Sequence, residues 1–474
     1  MWYDNFANKR LWEIFEKISS VPRESGKEEK IREFLLTFAK ENGLDSTTDD
    51  IGNVFITKKA DAGYEKVKPL ALQGHMDMVC VKKEGSSHNF DTDPIEIVTD
   101  GKYVMAKDTS LGADNGIALA MALEVMTDRS IKSGKIELIC TVSEETGLTG
   151  AFNLDPEKVE AKEMINLDSE EENVIYIGCA GGIDLESTMS FKREENKGLH
   201  TYEITVSGLL GGHSGGEIHK ERGNAINILA RAVMECGKFS LVSIEGGTRR
   251  NVIPSTARAV IATNSDISKK IEKINSKVKG ELLTSDPDVC ISFREIEKAE
   301  DVIQKKKGMK IIKALYAAPF GVRYMSTAIK GIVDTSNNLA IVTTDKKNIT
   351  VINSVRSNTE SRKALHVKAL EYYYSSFGFK CITDDGYPEW EVNRKSAFIK
   401  NFVKEYQAIT KKKPVVTAIH AGLECGIINK RKKGMESVSI GPNLFDVHSV
   451  NEKLEAKSAE RMVAFLKKYI AERK

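Results

Sequence analysis

The sequence lacks the features that mark membrane, secreted or nucleic-acid-binding proteins. No uninterrupted apolar run approaches the length that spans a bilayer. Residues 1–18 contain no apolar stretch followed by a small-residue cleavage site, so we do not expect them to act as a signal peptide. Lys plus Arg is 70 and Asp plus Glu is 68, which gives a formal net charge of +2. This balance gives no reason to expect a nucleic acid or an anionic membrane as partner.

Paired cysteine motifs are also missing. The chain has 7 cysteines, an odd number, and they are scattered without any Cys-x-x-Cys pair. This pattern disfavours both a disulfide framework and a zinc ribbon. Reduced thiols in the cytoplasm fit the pattern better, so we expect a cytoplasmic protein.

What the chain does contain is a set of metal-ligand residues in short, apolar, turn-bounded stretches that lie far apart. Together they offer two histidines and four or five carboxylates, which is the ligand set of a two-metal hydrolytic site. The stretches are Gly74-His75-Met76-Asp77, Gly112-Ala113-Asp114-Asn115-Gly116, Ser143-Glu144-Glu145-Thr146-Gly147, Asn166-Leu167-Asp168 and Phe445-Asp446-Val447-His448-Ser449.

The hydrophobic pattern predicts an α/β fold in which a mixed sheet is covered by helices. At 474 residues the chain is too long for one ordinary core, so two or more domains are expected. Short apolar runs predict strands at 69–73, 136–142 and 161–167, and amphipathic or apolar stretches between them predict helices. The candidate ligands follow these strands directly. The carboxyl ends of strands are where open α/β sheets place their sites.

The pattern changes after about residue 185. Residues 200–294 follow the order strand, helix, strand, strand, helix, strand, which is typical of a ferredoxin-like unit, and residues 309–384 contain a weaker second round. We therefore expect an inserted α+β lid domain of two ferredoxin-like halves. If His448 is a ligand, the last stretch folds back onto the first domain. The expected division is a catalytic domain at 1–185 and 393–474, with the lid at 186–392.

Each ligand candidate also has an ordinary interpretation. His75 could be a structural imidazole after a strand. If it binds metal, Asp77 can reach its other ring nitrogen, because alternate residues of an extended segment point the same way. Asp114 could be a helix N-cap. The glycines Gly112 and Gly116 on either side of it indicate that something approaches the backbone closely.

The remaining candidates carry the same ambiguity. Glu144 and Glu145 could form a solvated strand end, Asp168 could lie in an acidic surface loop, and His448 could be an exposed histidine. Two adjacent carboxylates repel unless a cation or a proton separates them. One of the glutamates could therefore bind metal while the other acts as a general base. We do not favour all of these ordinary interpretations together, because the candidates follow the predicted strands in order along the chain.

Three further candidates lie in the predicted insertion. The glycine-rich stretch 211–216 contains His213, and no Gly-Lys-Ser/Thr follows it, which disfavours a phosphate loop. The functional interpretation is that this glycine-rich loop presents His213 to a substrate oxygen. Asn251 is a second polar candidate, and Arg356, at a strand end, suits a carboxylate because its fork binds both oxygens. A loop Asn and a surface Arg are the alternatives.

At these residues the chain resembles the aminoacyl-histidine (Xaa-His) dipeptidases. They belong to the dizinc peptidase superfamily that includes glutamate carboxypeptidases, aminoacylases and acetylornithine deacetylases. The resemblance covers nearly the whole chain. It is carried by residues 18–25 (ISSVPRES), 52–54 (GNV), 88–90 (HNF), 93–95 (DPI), 211–225 (GGHSGGEIHKERGNA) and 446–452 (DVHSVNE).

The resemblance implies a role for each site residue. It implies two Zn²⁺ ions and a lid domain that matches the insertion, and the mixed nitrogen and oxygen ligand set suits Mn²⁺ or Co²⁺ as substitutes. The implied roles are His75 and Asp168 on one metal, Glu145 and His448 on the other, Asp114 as the bridge, Asp77 orienting His75, Glu144 as general base, His213 and Asn251 on the oxyanion side of the substrate, and Arg356 on the substrate carboxylate.

The expected function is hydrolysis of small peptides, preferentially Xaa-His dipeptides, by metal-activated water with Glu144 as base. A tripeptidase, carboxypeptidase or aminoacylase would use the same centre with other pocket contacts. A noncatalytic metal- or peptide-binding protein is the rival from another class, and Glu144 argues against it because binding alone needs no base. A homodimer through the lid is one expectation for assembly, and two lid halves that mimic a dimer within one chain are the other.

Overall fold

The computed structural model describes residues 1–473, which contain 23 strands and 11 α-helices arranged as two compact units. The strands are β1 (Asp45–Thr48), β2 (Val54–Lys58), β3 (Leu70–His75), β4 (Ile97–Thr99), β5 (Tyr103–Ala106), β6 (Ile136–Thr141), β7 (Glu163–Asn166), β8 (Val174–Cys179), β9 (Gly181–Ser190), β10 (Arg193–Glu195), β11 (His200–Ser207), β12 (Ser240–Gly246), β13 (Ala257–Thr263), β14 (Cys290–Ile296), β15 (Asp301–Ile303), β16 (Gly321–Met325), β17 (Val333–Thr344), β18 (Asn348–Ser357), β19 (Lys380–Thr383), β20 (Val415–Ile419), β21 (Glu436–Ser439), β22 (Leu444–Phe445) and β23 (Lys453–Glu455).

The helices follow the same chain order. They are α1 (Lys9–Ser19), α2 (Glu29–Glu41), α3 (Ala113–Thr127), α4 (Thr149–Asn153), α5 (Ala225–Glu235), α6 (Ser268–Glu281), α7 (Lys305–Tyr316), α8 (Glu360–Phe377), α9 (Ala397–Thr410), α10 (Glu424–Arg431) and α11 (Ala456–Glu472), with 3₁₀ turns at Pro156–Lys158 and Ile218–Lys220.

The first unit comprises Met1–Cys179, Val392–Ala418 and the residues from Leu423 onward. Its main sheet has eight strands in the order β1-β2-β6-β3-β7-β21-β8-β20. The adjacent strands β6, β3, β7 and β21 run parallel, while β1, β2 and β8 pair antiparallel with their neighbours. The mixed α/β fold that the hydrophobic pattern predicts is thus confirmed.

Helix α3 forms the centre of this unit's core. Residues from Ile117 to Met126 are all buried, and all of them except Glu124 are apolar. A helix of that composition is stable only when other elements surround it. Helices α1, α9 and α11 are amphipathic and contribute their apolar faces to the same core. Helix α3 therefore holds a fixed position below the sheet, with its amino end at Ala113.

The second unit comprises Ala180–Glu391 and residues 419–422. The sequence pattern places the insertion at 186–392, so the unit starts six residues earlier and also takes a short segment from the later part of the chain. Its sheet has nine strands, in the order β14-β11-β13-β12-β17-β18-β9-β19, with β16 beside β17. Strands β9 and β16 of this sheet are the two that the pattern misses.

This sheet consists of two halves with the same internal order. In one, β11, α5, β12, β13, α6 and β14 follow in sequence and the spatial order is β14-β11-β13-β12. In the other, β9, α7, β17, β18, α8 and β19 follow in sequence and the order is β19-β9-β18-β17. Both are the ferredoxin-like arrangement. The halves join where β12 pairs antiparallel with β17, and one core lies beneath both.

Candidate metal centre

Three parallel strands of the first unit end at one edge of the sheet and bring their ligand candidates together there. His75 is the last residue of β3 and pairs in register with Thr141, the last residue of β6. Glu144 and Glu145 lie in the turn after β6, and Asp168 lies two residues after β7. The carboxyl ends of parallel strands meet at the same sheet edge, so the strand-end spacing becomes spatial proximity.

Asp114 lies between the two imidazoles of the cluster. His75 Nε2 is 3.1 Å from Asp114 Oδ1, and His448 Nε2 is 3.0 Å from Asp114 Oδ2. Asp168 Oδ1 is 3.4 Å from His75 Nε2, and Glu145 Oε1 is 2.9 Å from His448 Nε2. Two three-residue groups therefore share one carboxylate, and in each group the potential ligand atoms lie within 4.8 Å of one another.

Asp77 supports this cluster from behind. Its Oδ1 lies 3.3 Å from His75 Nδ1, the ring nitrogen that faces away from Asp114. The same carboxylate accepts hydrogen bonds from Ser25 Oγ at 2.7 Å and from the backbone N–H groups of Glu144 and Glu145 at 3.1 and 3.2 Å. Asp77 is fully buried. It thus fixes the ring orientation of His75 and the turn that carries both glutamates.

Glu144 lies outside the two groups that share Asp114, and it forms a third group of potential ligand atoms with His75 and Glu145. Its Oε2 is 4.0 Å from His75 Nε2, and its side chain is 16% exposed. Burial raises the pKa of Glu144 well above 4.5, and the neighbouring charges of Asp168, Glu424 and Glu145 add to the effect of burial. A carboxylate with a raised pKa and some access to solvent is suited to accept and return a proton.

The donor set fits a pair of divalent metal ions. Glu145 Oε1 is buried and lies 2.9 Å from His448 Nε2, whose single N–H is directed at Asp114, so no hydrogen bond from residues 1–473 is aligned with it. An unpartnered buried carboxylate oxygen costs free energy unless a cation meets it. Imidazole and carboxylate ligands together suit Zn²⁺, Mn²⁺ and Co²⁺.

The electrostatics of the cluster point the same way. Burial lowers the pKa of His75, but Asp168 and Asp114 outweigh it and hold that pKa well above 6.5. The adjacent carboxylates, Asp114 first and then Glu145, raise the pKa of His448 to about 11. The carboxylates thus stabilise positive charge at the position between the two imidazoles, which a divalent cation supplies as well as a proton does.

The second unit brings His213 and Arg356 together. A methyl group built on Gly215 would lie 3.0 Å from His213 Cε1 and 3.3 Å from Arg356 Nη1, so the glycine leaves the space that both side chains approach. His213 is exposed, and its Nδ1 accepts a hydrogen bond from Gly216 N at 3.2 Å, which leaves the ring proton on Nε2. The backbone carbonyl of Asn251 accepts from Ser214 N at 2.8 Å, so Asn251 adjoins the same loop.

The sequence patterns do not predict two residues of this second cluster. Tyr387 Oη accepts a hydrogen bond from Arg356 Nη1 at 2.9 Å, and its ring occupies the space that side chains at Gly182 and Gly422 would fill. His420 is buried, with its Nε2 2.7 Å from Ser336 Oγ. The signal that could have found Tyr387 is the pair of distant glycines that accommodate its ring, although no local spacing connects them.

Three charged residues near the metal centre are missed in the same way. Glu424 is fully buried and accepts a hydrogen bond from Thr141 Oγ1 at 2.7 Å, and burial raises its pKa to about 7. Arg23 and Glu452 are 1% and 3% exposed and contact the backbone around Asp114. Both lie inside stretches that carry the family resemblance, at 18–25 and 446–452, which is the only sequence signal for them.

Two ligand groups that share a carboxylate, beside a separate glutamate with a raised pKa, define a metal-dependent hydrolase. The chain belongs to the peptidase family M20/M25/M40, whose family model matches residues 71–472. The chain is therefore a metallopeptidase, which confirms the resemblance and the enzyme class predicted from the sequence.

Individual relatives agree with this assignment. The cytosol non-specific dipeptidase of Escherichia coli K12 is 38% identical over 459 residues, which cover 94% of each chain. The crystal structure of aminoacylhistidine dipeptidase from Vibrio alginolyticus matches with a TM-score of 0.86 and 36% identity, over 98% of this chain and 97% of that one. A tripeptidase from Staphylococcus aureus matches with a TM-score of 0.58 and 18% identity, over 98% of each chain, and at that identity it shares the fold alone.

Within residues 1–473, every helix is either too short or too polar to cross a bilayer.

Proposed function

We propose that the protein is a dipeptidase that hydrolyses the peptide bond of small substrates with a free carboxylate, with preference for Xaa-His dipeptides. The observation that carries the proposal is the position of Asp114, whose two oxygens face His75 and His448 at 3.1 and 3.0 Å. In this proposal His75 and Asp168 would hold one Zn²⁺, Glu145 and His448 would hold the other, and Asp114 would serve both.

The metal pair supplies a water molecule of lowered pKa and polarises the scissile carbonyl when it is bound. Glu144 would accept a proton from the attacking water and pass it to the leaving amine, a role that its raised pKa favours. Asp77 keeps the ring of His75 in the orientation that directs Nε2 toward Asp114.

We assign recognition of the substrate to the second unit. His213 carries its proton on Nε2 and can donate it to the oxyanion of the tetrahedral intermediate. Arg356 has a buried Nε–H without a hydrogen-bond partner among residues 1–473, and its Nη1 is fixed by Tyr387. A guanidinium with unmet donors suits a carboxylate, so we assign the carboxyl terminus of the substrate to Arg356. Asn251 adjoins His213 and is assigned to the same oxyanion side.

The preference for a C-terminal histidine rests on the name of the Vibrio relative, whereas the name of the E. coli relative indicates broad specificity. Cytoplasmic location is part of the proposal and rests on the scattered cysteines and on the E. coli relative's printed name.

The test is a substrate panel on the purified, zinc-loaded full chain. It contains Xaa-His dipeptides, other dipeptides, their C-terminal amides, tripeptides and N-acyl amino acids. We expect the highest kcat/KM on Xaa-His dipeptides and a large loss on the amides, because amidation removes the charge that Arg356 binds. Equal turnover of all dipeptides would remove the histidine preference. Faster turnover of N-acyl amino acids or tripeptides would assign the centre to those substrates instead.

A further inference from the structure

Two buried, oppositely charged residues hold the backbone that carries Asp114. Glu452 Oε2 accepts hydrogen bonds from Leu111 N at 2.8 Å and Gly112 N at 2.9 Å, and Oε1 accepts from Asp114 N at 3.1 Å. One carboxylate thus binds three backbone N–H groups of a single turn. Hydrogen bonds of this kind, with a charged acceptor, are about twice as strong as those between neutral groups.

Arg23 joins the other side of that turn to the end of β3. Its Nη1 donates to the carbonyl of Asp77 at 2.9 Å and to that of Met76 at 3.3 Å, and its Nη2 donates to the carbonyl of Gly112. The planar fork therefore connects the segment after His75 to the segment before Asp114. A single ammonium group could not reach both.

The guanidinium also explains the two glycines that flank Asp114. A methyl group built on Gly112 would lie 2.5 Å from Arg23 Nη2, and one built on Gly116 would lie 2.7 Å from the same atom. The close approach that the glycines indicate is thus made by Arg23. A side chain at either position would push the guanidinium away from the carbonyls it binds.

We infer that Arg23 and Glu452 are positioning residues that set the carboxylate of Asp114 between His75 and His448. Both are buried, and their polar contacts in the described residues are to backbone groups of the segments that carry Asp77 and Asp114. The inference rests on the proposed function, because it takes Asp114 to be the bridging ligand. Since Asp114 belongs to both ligand groups, its displacement weakens both metal sites together.

The test measures metal affinity rather than turnover. Glu452→Gln places an amide N–H₂ against backbone donors, and Arg23→Lys removes the fork. The matched control is Glu137→Gln, since Glu137 is 4% exposed and accepts backbone hydrogen bonds from Glu160 at 3.0 Å and Ala161 at 2.9 Å, away from the ligands. For each full-length protein, Zn²⁺ dissociation constants come from competition with a chromophoric chelator. The Co²⁺ absorption spectrum and the melting temperature of the metal-free form complete the set.

We expect Glu452→Gln and Arg23→Lys to weaken binding of both Zn²⁺ ions by roughly 10- to 100-fold and to shift the Co²⁺ bands, which is the range for residues that orient ligands. Glu137→Gln should lower only the melting temperature. Wild-type Zn²⁺ affinity and Co²⁺ spectrum in both variants would overturn the inference.

A third variant, Glu452→Asp, keeps the negative charge and distinguishes a folding defect from a loss of ligand positioning. If all three variants fail to fold without metal, the pair has a general structural role and the inference is wrong. If the wild-type protein itself binds no Zn²⁺, the proposed function fails, which is a distinct result.

Discussion

The carboxylates of the candidate metal centre have pKa values that are shifted in opposite directions from their ordinary values. Burial raises the pKa of Asp168 to about 6 and that of Glu144 well above 4.5. Burial acts on Asp77 as well, but His75 and the donors around it outweigh burial and lower its pKa to about 2. Groups whose environments separate their pKa values in this way take different roles in acid–base chemistry. This contrast supports Glu144 as the base and Asp77 as a permanently charged support for His75.

Replacing Glu144 by Gln should abolish most turnover without loss of metal. Loss of general base assistance costs roughly 10²- to 10⁴-fold in rate. We expect kcat to fall by that factor while elemental analysis still finds two Zn²⁺ per chain, because Glu144 lies outside the two groups that share Asp114. The exposed Glu65→Gln serves as the control for purification and assay. Wild-type kcat in Glu144→Gln would exclude this residue as the base, and loss of a zinc ion would make it a ligand.

At the scale of secondary-structure elements, a four-residue segment from the later part of the chain completes the second unit. Residues 419–422 begin at the last residue of β20 and belong to the second unit, although the chain on both sides belongs to the first. His420 fixes the segment to the sheet through Ser336 of β17 at 2.7 Å and Asn358, after β18, at 3.1 Å. Asn358 accepts from Nδ1–H, so Nε2 accepts from the serine hydroxyl and the ring is neutral.

This burial makes the second unit sensitive to acid. Burial, and then the charge of Arg356, lowers the pKa of His420 to about 3 from 6.5. Below pH 6.5 the unfolded chain binds a proton that the folded ring does not, so stability is complete above 6.5 and is lost as the pH falls toward 3. The expected contribution is about 1.4 kcal/mol per pH unit in that window. Burial also lowers the pKa of His366 to about 4, so this residue adds its own dependence of stability on pH.

We expect His420→Gln to remove that part of the acid dependence. The measurement is urea unfolding of the full chain at several pH values between 7.5 and 4.5, with fluorotryptophan NMR of Trp390 as the reporter of the second unit. The other tryptophans, Trp2 and Trp12, lie in the first unit. The exposed His219→Gln is the matched control and should keep the wild-type slope. A stability difference between His420→Gln and wild type that is constant with pH would contradict the explanation.

At the scale of the molecule, the metal centre is built from distant parts of the chain. His75, Asp114, Glu145 and Asp168 come from the first 179 residues, and His448 comes from the last segment of the same unit. The pairing of β22 with β23, and of β23 with β5, attaches that segment beside the main sheet. Metal bound at these residues would link the two ends of the first unit, and its free energy of binding would add to the free energy of unfolding.

Removal of metal should consequently abolish activity and lower the melting temperature. A metal present at 100 times its dissociation constant stabilises the folded state by about 2.7 kcal/mol per site. We expect a chelator to inactivate the enzyme, calorimetry to show the lower melting temperature, and Zn²⁺, Mn²⁺ or Co²⁺ to restore both. The variant Asp114→Asn, measured in parallel, should show a much smaller effect of added metal. The two-metal proposal would be contradicted if a preparation that elemental analysis shows to be metal-free kept full activity.

The sequence alone determined the features that depend on local spacing. Strand periodicity places His75, Glu144 and Asp168 at the ends of predicted strands, and parallel pairing then brings strand ends to one edge. The α/β class and the repeated order of elements in the second unit follow from the same periodicity. These features are predictable because backbone geometry converts a short pattern directly into structure.

Only the tertiary structure decided which distant residues support the ligands. Glu452 lies more than three hundred residues from the turn it binds, and Arg23 is drawn to the backbone after β3 by burial and charge. Tyr387 and His420 complete the second cluster from outside any motif, and β9 joins the second half of a sheet from a position before the first half. Such contacts arise when packing brings separate segments together, so no spacing within one segment encodes them.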